Sequence, residues 1–522
     1  MYPLFSSNES ISVTEILLPM RDGVRLYTRY AVPEGKEKCP IIFIRTPYEA
    51  PRHAVPIGTD AYKSDVFTKH GYAVVVQHCR GRGDSEGICT PYAEREDGLD
   101  TLDFLRNLPF YNGEIFLTGQ SYLASVHYCY LDAMPKDIKG ACFCIQSDRM
   151  YERNFRCGMN YSLNNISFWM NMLDRRFPEQ NRSKKFERPY INASKNIFAV
   201  DIPEITNGLL HNENDEFWTS DPRTRAAESI SFPTLFVEGW YDFYIGGMYS
   251  MWERLTEDAR RKSAMIVGPY GHATRTRPNS DYVFESGNLP ADFLLEWFES
   301  VRAKTPYKYA QNGKVSYYSI GADKWFSSNY PRENQRFLKL WLEKDRLSEA
   351  PEQKGKLSYL YDPQKLSFLH KFGDAHKAFP PEKKDGVLSF LSAPFEKETA
   401  FFGKIKINLS VSSSCDDTAF FVRAYFVEDD NAYSLTESVG ALSYFIKDYI
   451  KGTKASIKLE TTPIAFTIKK GMRLRIDVSS ESGIYMPHPN VKGHFAFTSE
   501  TAVAKNTVFL GESFIELPFD EN

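Results

Sequence analysis

Short apolar runs alternate with amphipathic stretches along the first half of the chain. The runs are continuous and rich in Val and Ile, as is typical of strands that are buried on both faces of a sheet. Leu99, Leu102 and Leu105 lie on one face of a helix between two of these runs. Alternating strands and helices predict an α/β domain, in which helices cover both sides of a parallel sheet. The predicted strands are residues 40–44, 73–77, 115–117, 141–145, 234–238 and 264–268.

One further segment lies before this alternating pattern, and another lies within it. Residues 10–33 read as an antiparallel meander with a turn at Arg21-Asp22-Gly23. Residues 150–221 are rich in large apolar side chains interleaved with Asn and Arg, without a clear strand. They predict a helical insertion over the carboxyl edge of the sheet, that is, a cap. A helical subdomain without substrate contact is the alternative.

The pattern becomes all-β after an amphipathic helix at residues 289–304. Residues 404–411 and 472–478 alternate strictly, so that Ile405, Ile407, Leu474 and Ile476 face one side of their strands. Many short strands without helices between them predict a sandwich or jelly roll. Further strands are expected at 315–320, 337–342, 418–426, 457–459 and 495–497, and a Pro- and charge-rich excursion at 354–384. The predicted domains are an α/β domain in two parts (1–148 and 229–304), a cap (149–228) and a β-domain (305–522).

Composition excludes several classes of protein. The 522 residues are 42% hydrophobic and 15% aromatic, enough for large cores in two or three domains. The net charge of −3 gives no basic stripe for nucleic acid. We expect no signal peptide, because the first residues show no basic segment followed by an apolar core. We expect no membrane span, because no apolar run approaches about 18 residues. The eight cysteines show no paired C-x-x-C metal spacing. These features predict a cytoplasmic, reduced protein.

The stretch Gly119-Gln120-Ser121-Tyr122-Leu123-Ala124 carries the first sign of chemistry. It follows the apolar run 115–117 and leads into a helical pattern. A serine on a sharp strand-to-helix turn holds its hydroxyl clear of the sheet, where a base and a substrate carbonyl can reach it. Ala124 stands where the G-x-S-x-G pattern has its second glycine, so the match is imperfect.

Asp242 and His272 complete a candidate catalytic triad. Asp242 lies in the loop after the strand 234–238, and His272 follows the strand 264–268. The order Ser, Asp, His along the chain is that of nucleophile-elbow hydrolases. Because each residue follows a strand of one parallel sheet, all three are expected at the same edge. Glu238 is the rival acid, and His78 and His127 are the rival bases.

A reaction at a carbonyl carbon also needs donors for the developing oxyanion. The backbone N–H of Tyr122, directly after the serine, is the expected first donor. The second donor normally comes from the loop after an early strand, here Arg45-Thr46-Pro47-Tyr48. The Tyr48 hydroxyl fits that role, although the loop by itself is equally compatible with an ordinary surface tyrosine.

Together these motifs resemble the CocE/NonD-type serine hydrolases, a family that includes cocaine esterase, glutaryl-cephalosporin acylases, α-amino-acid ester hydrolases and X-prolyl dipeptidyl peptidases. The resemblance implies an α/β-hydrolase domain with an inserted helical cap, followed by a jelly roll. It also implies Ser121 as nucleophile, His272 as base, Asp242 as acid, and the Tyr48 hydroxyl with the Tyr122 N–H as oxyanion hole. The resemblance rests on residues 45–48, 74–87, 119–122, 239–242, 268–272, 320–325 and 470–476.

The chain departs from the family pattern at two positions. Ala124 replaces the usual second glycine of the elbow, which should change little more than local packing. His78 stands where the family usually has Asp before the Arg-Gly run, and a neutral imidazole does not supply the charge of that carboxylate. The five catalytic positions are intact, so activity is expected.

The predicted reaction is two-step acyl transfer from an ester or acyl amide to water, without a cofactor. The expected partner is therefore a small-molecule substrate, and a homo-oligomer stays open. Trp169 and Trp240, with Trp218, are candidates for the walls of an apolar substrate pocket, although plain core packing is the alternative. Glu49 and Glu86 are the carboxylates that an X-prolyl dipeptidyl peptidase-like aminopeptidase would need. An acyltransferase and a non-catalytic binder with a relic site are the remaining alternatives.

Overall fold

The computed structural model of the protein describes residues 13–48, 54–57, 60–161, 166–276, 281–352, 354–365, 378–379 and 385–520. Strands and helices alternate in the first part of the chain. They are β1 (Val13–Pro19), β2 (Arg25–Ala31), β3 (Cys39–Thr46), β4 (Ala54–Ile57), β5 (Asp60–Lys63), α1 (Ser64–Lys69), β6 (Ala73–His78), α2 (Arg95–Arg106), β7 (Tyr111–Gln120), α3 (Tyr122–Tyr128) and β8 (Ile138–Cys144).

An insertion of short helices follows β8, and the alternation then resumes. The insertion holds α4 (Met150–Asn154), β9 (Phe155–Arg156), β10 (Met159–Asn160), α5 (Phe168–Met172), α6 (Ala193–Phe198), α7 (Pro203–Leu210), α8 (Glu216–Thr219) and α9 (Ala226–Ser229). After it come β11 (Thr234–Gly239), α10 (Ile245–Arg254), α11 (Glu257–Lys262), β12 (Ala264–Gly268), α12 (Phe293–Ala303), β13 (Val315–Ser319) and β14 (Lys324–Ser328).

Among the described residues, the first sheet has ten strands in the order β1-β2-β6-β3-β7-β8-β11-β12-β13-β14. Its strands from β6 to β13 are parallel, and an antiparallel strand or hairpin closes each side. All six apolar runs that the sequence predicted as buried strands lie in this parallel part. The predicted meander is the β1–β2 hairpin, with residues 10–12 outside the described part of the chain.

The sheet is buried on both faces, which explains why its strands are continuously apolar. Ile41 and Phe43 of β3 pack in the same core as α2, α3 and α10. Ile42 and Ile44 point to the opposite face and pack with α12, including Trp297. Because β6, β3, β7, β8, β11 and β12 run in one direction, the loops after them meet at one edge of the sheet.

The insertion leaves the sheet after β8 and returns at β11, and these two strands are direct neighbours with Ala141 opposite Thr234. Its apolar core joins α5, α6 and α7 and includes Ile166, Ile205 and Met486. The two-residue strands β9 and β10 pair only with each other among the described residues. Apart from that hairpin, the helical character predicted for residues 150–221 is confirmed.

The last part of the chain is almost entirely β-structure. A sheet of 12 strands and a two-stranded pair enclose an apolar core that contains Phe401, Leu409, Ile476 and Ile515. The elements are β15 (Phe337–Glu343), β16 (Arg346–Ser348), β17 (Gly355–Tyr361), β18 (Ala378–Phe379), β19 (Leu388–Leu391), β20 (Thr399–Gly403), β21 (Lys406–Ser413), β22 (Ala419–Glu428), β23 (Asn431–Ala441), α13 (Leu442–Phe445), β24 (Ala455–Glu460), β25 (Ile464–Ile468), β26 (Arg473–Ser479), β27 (Ala504–Leu510) and β28 (Phe514–Pro518).

Three segments differ from the strand predictions. The run 315–320, predicted for the β-domain, forms β13 and pairs with β12 of the first sheet, because an apolar run does not encode which sheet it joins. Residues 495–497 form a turn, where Phe495 and Ala496 pack against the cap core rather than in a strand. The predicted excursion at 354–384 begins with β17, which pairs with β27. Most of its remainder lies outside the described residues.

Candidate active site

Ser121 lies on a strained turn between β7 and α3. Its backbone has φ 56° and ψ −127°, a conformation that residues other than glycine rarely adopt. Its N–H donates to the Cys144 carbonyl at the end of the neighbouring strand, 2.9 Å away. The turn requires Gly119, because a Cβ there would lie 2.3 Å from the backbone of Leu123. Ala124 is buried without such a conflict, so the departure from the second glycine is accommodated.

The loops after β7, β11 and β12 bring Ser121, Asp242 and His272 together. The Ser121 hydroxyl lies 2.8 Å from Nε2 of His272, and Nδ1 of His272 lies 2.5 Å from Oδ2 of Asp242. The Asp242 side chain is fully buried, whereas the His272 side chain remains 27% exposed. This arrangement gives the serine a base and gives that base an orienting acid. The carboxylate also accepts from the N–H of Tyr244 at 2.7 Å, which fixes its position.

Glu238, the rival acid, does not contact the histidine in this way. It lies inside β11, is fully buried, and accepts from the N–H of Gly239 at 2.9 Å. Burial, together with the charge of Asp242, raises the pKa of Glu238 well above its usual range. Burial therefore favours the neutral form of Glu238, and the carboxylate that contacts His272 is that of Asp242.

The rival bases occupy structural positions. Nδ1 of His127 lies 2.5 Å from the Tyr130 hydroxyl, and burial lowers the pKa of His127 to about 3. Nδ1 of His78 accepts from the N–H of Asp84 at 3.2 Å. That hydrogen bond holds the loop after β6. The His78 ring therefore supplies an acceptor at the position where the family pattern has the carboxylate of an Asp.

The predicted oxyanion donors lie on two loops at the same edge. Tyr122 is the first residue of α3, where a helix has no preceding carbonyl to accept from the N–H. Tyr48 follows β3, and its N–H donates to the buried Thr46 hydroxyl at 3.0 Å. Arg82 donates to the Pro47 carbonyl at 2.9 Å, so the loop is held from two sides. Tyr48 as a residue is 39% exposed, whereas burial of its phenol raises the pKa of the hydroxyl.

Two aromatic residues beside the histidine were not predicted. The Phe243 ring stacks on His272 with 4.7 Å between ring centroids, and Tyr244 lies 5.7 Å from the same ring. Both follow Asp242 directly in the chain, so an aromatic pair next to the candidate acid was the available signal. Their contacts with the ring restrict the orientation of the imidazole.

The tryptophans predicted to line a substrate pocket are packed in cores. Trp169 lies in the apolar core of the cap, and the Trp218 indole donates to the His211 carbonyl at 2.7 Å. The Trp240 indole donates to the Tyr318 carbonyl at 2.7 Å. Trp240 also lines a cavity of about 530 Å³ between the cap, the first sheet and the β-domain, together with Phe243. A role for Trp169 or Trp240 in substrate binding stays a prediction.

Of the two carboxylates predicted to bind an ammonium group, Glu86 lies in the described part of the chain. Glu86 pairs with Arg25 and accepts from its backbone N–H at 3.1 Å, on the exposed side of β2. Glu49 lies outside the described residues. In the described part of the chain, no helix is both long and apolar enough to cross a membrane.

Two family models match this chain in tandem. One, described as X-Pro dipeptidyl-peptidase (S15 family), matches residues 22–274. The other, described as X-Pro dipeptidyl-peptidase C-terminal non-catalytic domain, matches residues 302–514. The first match contains Ser121, Asp242 and His272, and the second contains most of the β-domain.

Known proteins support the same relationship. Cocaine esterase of Rhodococcus sp. (strain MB1 Bresler) is 24% identical over an alignment of 494 residues, which covers 84% of this chain and 84% of the esterase. An aminopeptidase from a marine sediment Thaumarchaeota archaeon has a TM-score of 0.80 at 18% identity, covering 99% of this chain and 98% of the other. An α-amino acid ester hydrolase has a TM-score of 0.80 at 20% identity with the same coverage. The predicted fold class is confirmed.

Proposed function

The chain belongs to the CocE/NonD family of serine hydrolases, and on that premise we propose that it cleaves an ester or acyl-amide bond with Ser121 as nucleophile. His272 is the general base, Asp242 its orienting acid, and the Tyr48 hydroxyl and Tyr122 N–H stabilise the oxyanion. The single observation that carries this proposal is the chain of short contacts from Ser121 through His272 to Asp242.

The reaction proceeds in two steps. Nε2 of His272 accepts the proton of the Ser121 hydroxyl while the serine oxygen attacks the substrate carbonyl carbon. The tetrahedral oxyanion accepts hydrogen bonds from Tyr48 and Tyr122, and its collapse expels the leaving group, which takes the proton from His272. Water then attacks the acyl-enzyme with the same base and releases the acid. Asp242 keeps Nδ1 of His272 protonated, so Nε2 is free to accept.

An ester or acyl-amide substrate fits the surroundings better than a peptide with a free amino terminus. An aminopeptidase holds the substrate ammonium with carboxylates. Of the two carboxylates proposed for that purpose, Glu86 is occupied by Arg25. The guanidinium of Arg153, a buried residue on α4 of the cap, interacts electrostatically with Tyr48 and Tyr244. Positive charge at this place disfavours a cationic acyl group.

Labelling with a fluorophosphonate probe tests the nucleophile directly. We expect labelling of the wild-type protein at Ser121, identified by peptide mass spectrometry, and none in Ser121→Ala. Ser125→Ala is the matched control, because Ser125 is a buried serine one turn later on α3. Labelling that persists in Ser121→Ala contradicts the proposal.

A substrate panel then separates the remaining alternatives. Aryl esters, acyl anilides and X-Pro anilides compare an esterase or acylase with an X-prolyl dipeptidyl peptidase. Product ratios with and without an added amine compare hydrolysis with acyl transfer, because an acyltransferase diverts the acyl-enzyme from water. We expect aryl esters or acyl anilides to be the better substrates, with the acid as main product.

We also propose a cytoplasmic location. The eight cysteines are free thiols, and all of them except Cys157 are buried. Free buried thiols are typical of proteins in reducing compartments. Fractionation of the source cells, with detection by an antibody, tests this location.

A further inference from the structure

The phenol of Tyr122 takes part in a buried network that acyl transfer itself does not require. Only 2% of Tyr122 is exposed, and its backbone N–H is one of the two proposed oxyanion donors. Its hydroxyl donates to Oε1 of Glu94 and accepts from the N–H of Tyr92 at 2.9 Å. Glu94 is 4% exposed. The Tyr122 hydroxyl therefore acts both as a hydrogen-bond donor and as an acceptor in this network.

Glu94 also contacts the strand that leads to the other oxyanion donor. Its backbone carbonyl accepts from the Arg45 guanidinium at 2.9 Å. Arg45 is fully buried in β3, three residues before Tyr48, and its Nε donates to the Gln77 side chain at 2.9 Å. A single residue, Glu94, thus binds the elements that carry both proposed donors.

Tyr92 connects this network to the cap. The guanidinium groups of Arg223 and Arg153 both lie over its ring, 3.8 and 4.4 Å from the ring centroid. Phe168 of α5 stacks on the same ring at 5.4 Å. Tyr92 has φ 72°, a conformation that must be held by its surroundings in a residue other than glycine. The cap side chains therefore fix the direction of the N–H that Tyr122 accepts.

We propose that Glu94 is a positioning residue of the oxyanion hole, which holds the Tyr122 N–H through the phenol and the Tyr48 loop through Arg45. The inference rests on the proposed function, since it requires those two donors. An oxyanion hole lowers the barrier because its donors are already oriented before charge develops. Misplacement by about 1 Å can reduce a rate by about 10²-fold. A buried carboxyl oxygen that accepts from a phenol supplies such an orientation, because a buried polar group left without its partner is costly.

The alternative is that Glu94 and the phenol only stabilise the fold. The two roles differ in what they change. Loss of donor alignment lowers kcat and weakens a tetrahedral adduct by a similar factor, while KM for the ground-state ester stays the same. Loss of stability alone lowers the thermal midpoint and leaves kcat unchanged below that temperature.

The test uses Tyr122→Phe, with Tyr128→Phe as matched control. Tyr128 is buried on the same helix, and its hydroxyl donates to the Gln146 carbonyl at 3.1 Å, away from Glu94. For Tyr122→Phe we expect kcat on a p-nitrophenyl ester to fall about 10- to 100-fold. The affinity for phenylboronic acid, which forms a tetrahedral adduct with the serine, should fall similarly, and KM should not change. Tyr128→Phe should keep the wild-type kcat.

Glu94→Gln provides the conservative rescue. The amide keeps an oxygen that accepts from the Tyr122 phenol and leaves the backbone carbonyl for Arg45, so kcat should fall less than in Tyr122→Phe. Glu94→Ala removes that acceptor, and its kcat should fall as far as that of Tyr122→Phe. Wild-type kcat and boronate affinity in folded Tyr122→Phe would overturn the inference. Failure of the proposed function looks different, because the wild-type protein would then not react with fluorophosphonate at Ser121.

Discussion

Nδ1 of His272 lies 2.5 Å from Oδ2 of Asp242, whose carboxylate is fully buried. This contact selects the tautomer in which Nε2 can accept the serine proton. We expect Asp242→Asn to lower kcat by about 10⁴-fold, because the amide can donate to Nδ1 and favours the wrong tautomer. Steady-state kinetics on a p-nitrophenyl ester measures the loss, and circular dichroism checks that the fold is retained. A loss below about tenfold would argue against Asp242 as the orienting acid.

Glu238→Gln is the complementary prediction. Burial and the nearby Asp242 charge raise the pKa of Glu238 well above its usual range, which favours the neutral form of its carboxyl group. Glutamine resembles the neutral acid and keeps the oxygen that accepts from Gly239. We expect the free energy of unfolding to change by less than about 1 kcal/mol. The activation free energy that corresponds to kcat/KM should also change by less than about 1 kcal/mol. A loss as large as that of Asp242→Asn would instead make Glu238 the acid of the triad.

Tyr48→Phe should separate transition-state stabilisation from substrate binding. If the hydroxyl donates to the oxyanion, kcat falls about 10²- to 10³-fold and KM changes little. The control is Tyr111→Phe, in which a tyrosine at the amino end of β7 loses its bond to Asp137 at 2.9 Å. The control should keep full activity. A rise in KM with unchanged kcat would assign Tyr48 to ground-state binding.

His127 should make the stability of the fold depend on pH. Burial lowers its pKa from 6.5 to about 3, so the folded state leaves it neutral while the unfolded chain protonates it below pH 6.5. The unfolded state then binds more protons between pH 3 and 6.5, and stability decreases as the pH falls through that range. The expected contribution between pH 7 and pH 5 is about 2 kcal/mol.

Thermal unfolding at pH 5, 6 and 7 measures this effect. The decrease in midpoint on acidification should be smaller in His127→Gln than in the wild type, whatever the absolute stability of the variant. His70→Gln, at an exposed position on the first sheet's flank, should behave as the wild type. Equal pH dependence in all three proteins would contradict the buried neutral state of His127.

Gly119→Ala should disturb the nucleophile turn. The added Cβ would lie 2.3 Å from the Leu123 backbone, so the turn has to shift. We expect a cost of about 1–3 kcal/mol in unfolding free energy and reduced labelling by fluorophosphonate. Gly246→Ala is the control. Gly246 lies in α10, and an added Cβ would lie 3.5 Å from Thr462, an ordinary van der Waals distance. Alanine in that helix should be neutral or stabilising, by up to about 1 kcal/mol.

The sequence was most informative where a physical rule links position to geometry. Parallel strands end at one edge, so Ser121, Asp242 and His272 could be brought together from three strand-end positions alone. Glu94 and Tyr92 could not be predicted, because their loop has no periodicity and their partners lie on β3, α3 and the cap. The strand predicted at Phe495 is wrong for a related reason. An aromatic residue in a short apolar run can pack in a sheet or, as Phe495 does, against helices.

The cap leaves the sheet after β8 and returns to β11, the strand next to it, with Ala141 opposite Thr234. The two ends of the cap are therefore one strand spacing apart. The order of the strands does not depend on the segment that connects β8 to β11. Evolution can lengthen, shorten or replace such a segment without moving the loops that carry Ser121 and His272. Exchange of the cap would therefore leave the strand order intact, but a grafted cap has to reproduce the contacts of Arg153, Phe168 and Arg223 with Tyr92, which connect the cap to the proposed oxyanion hole.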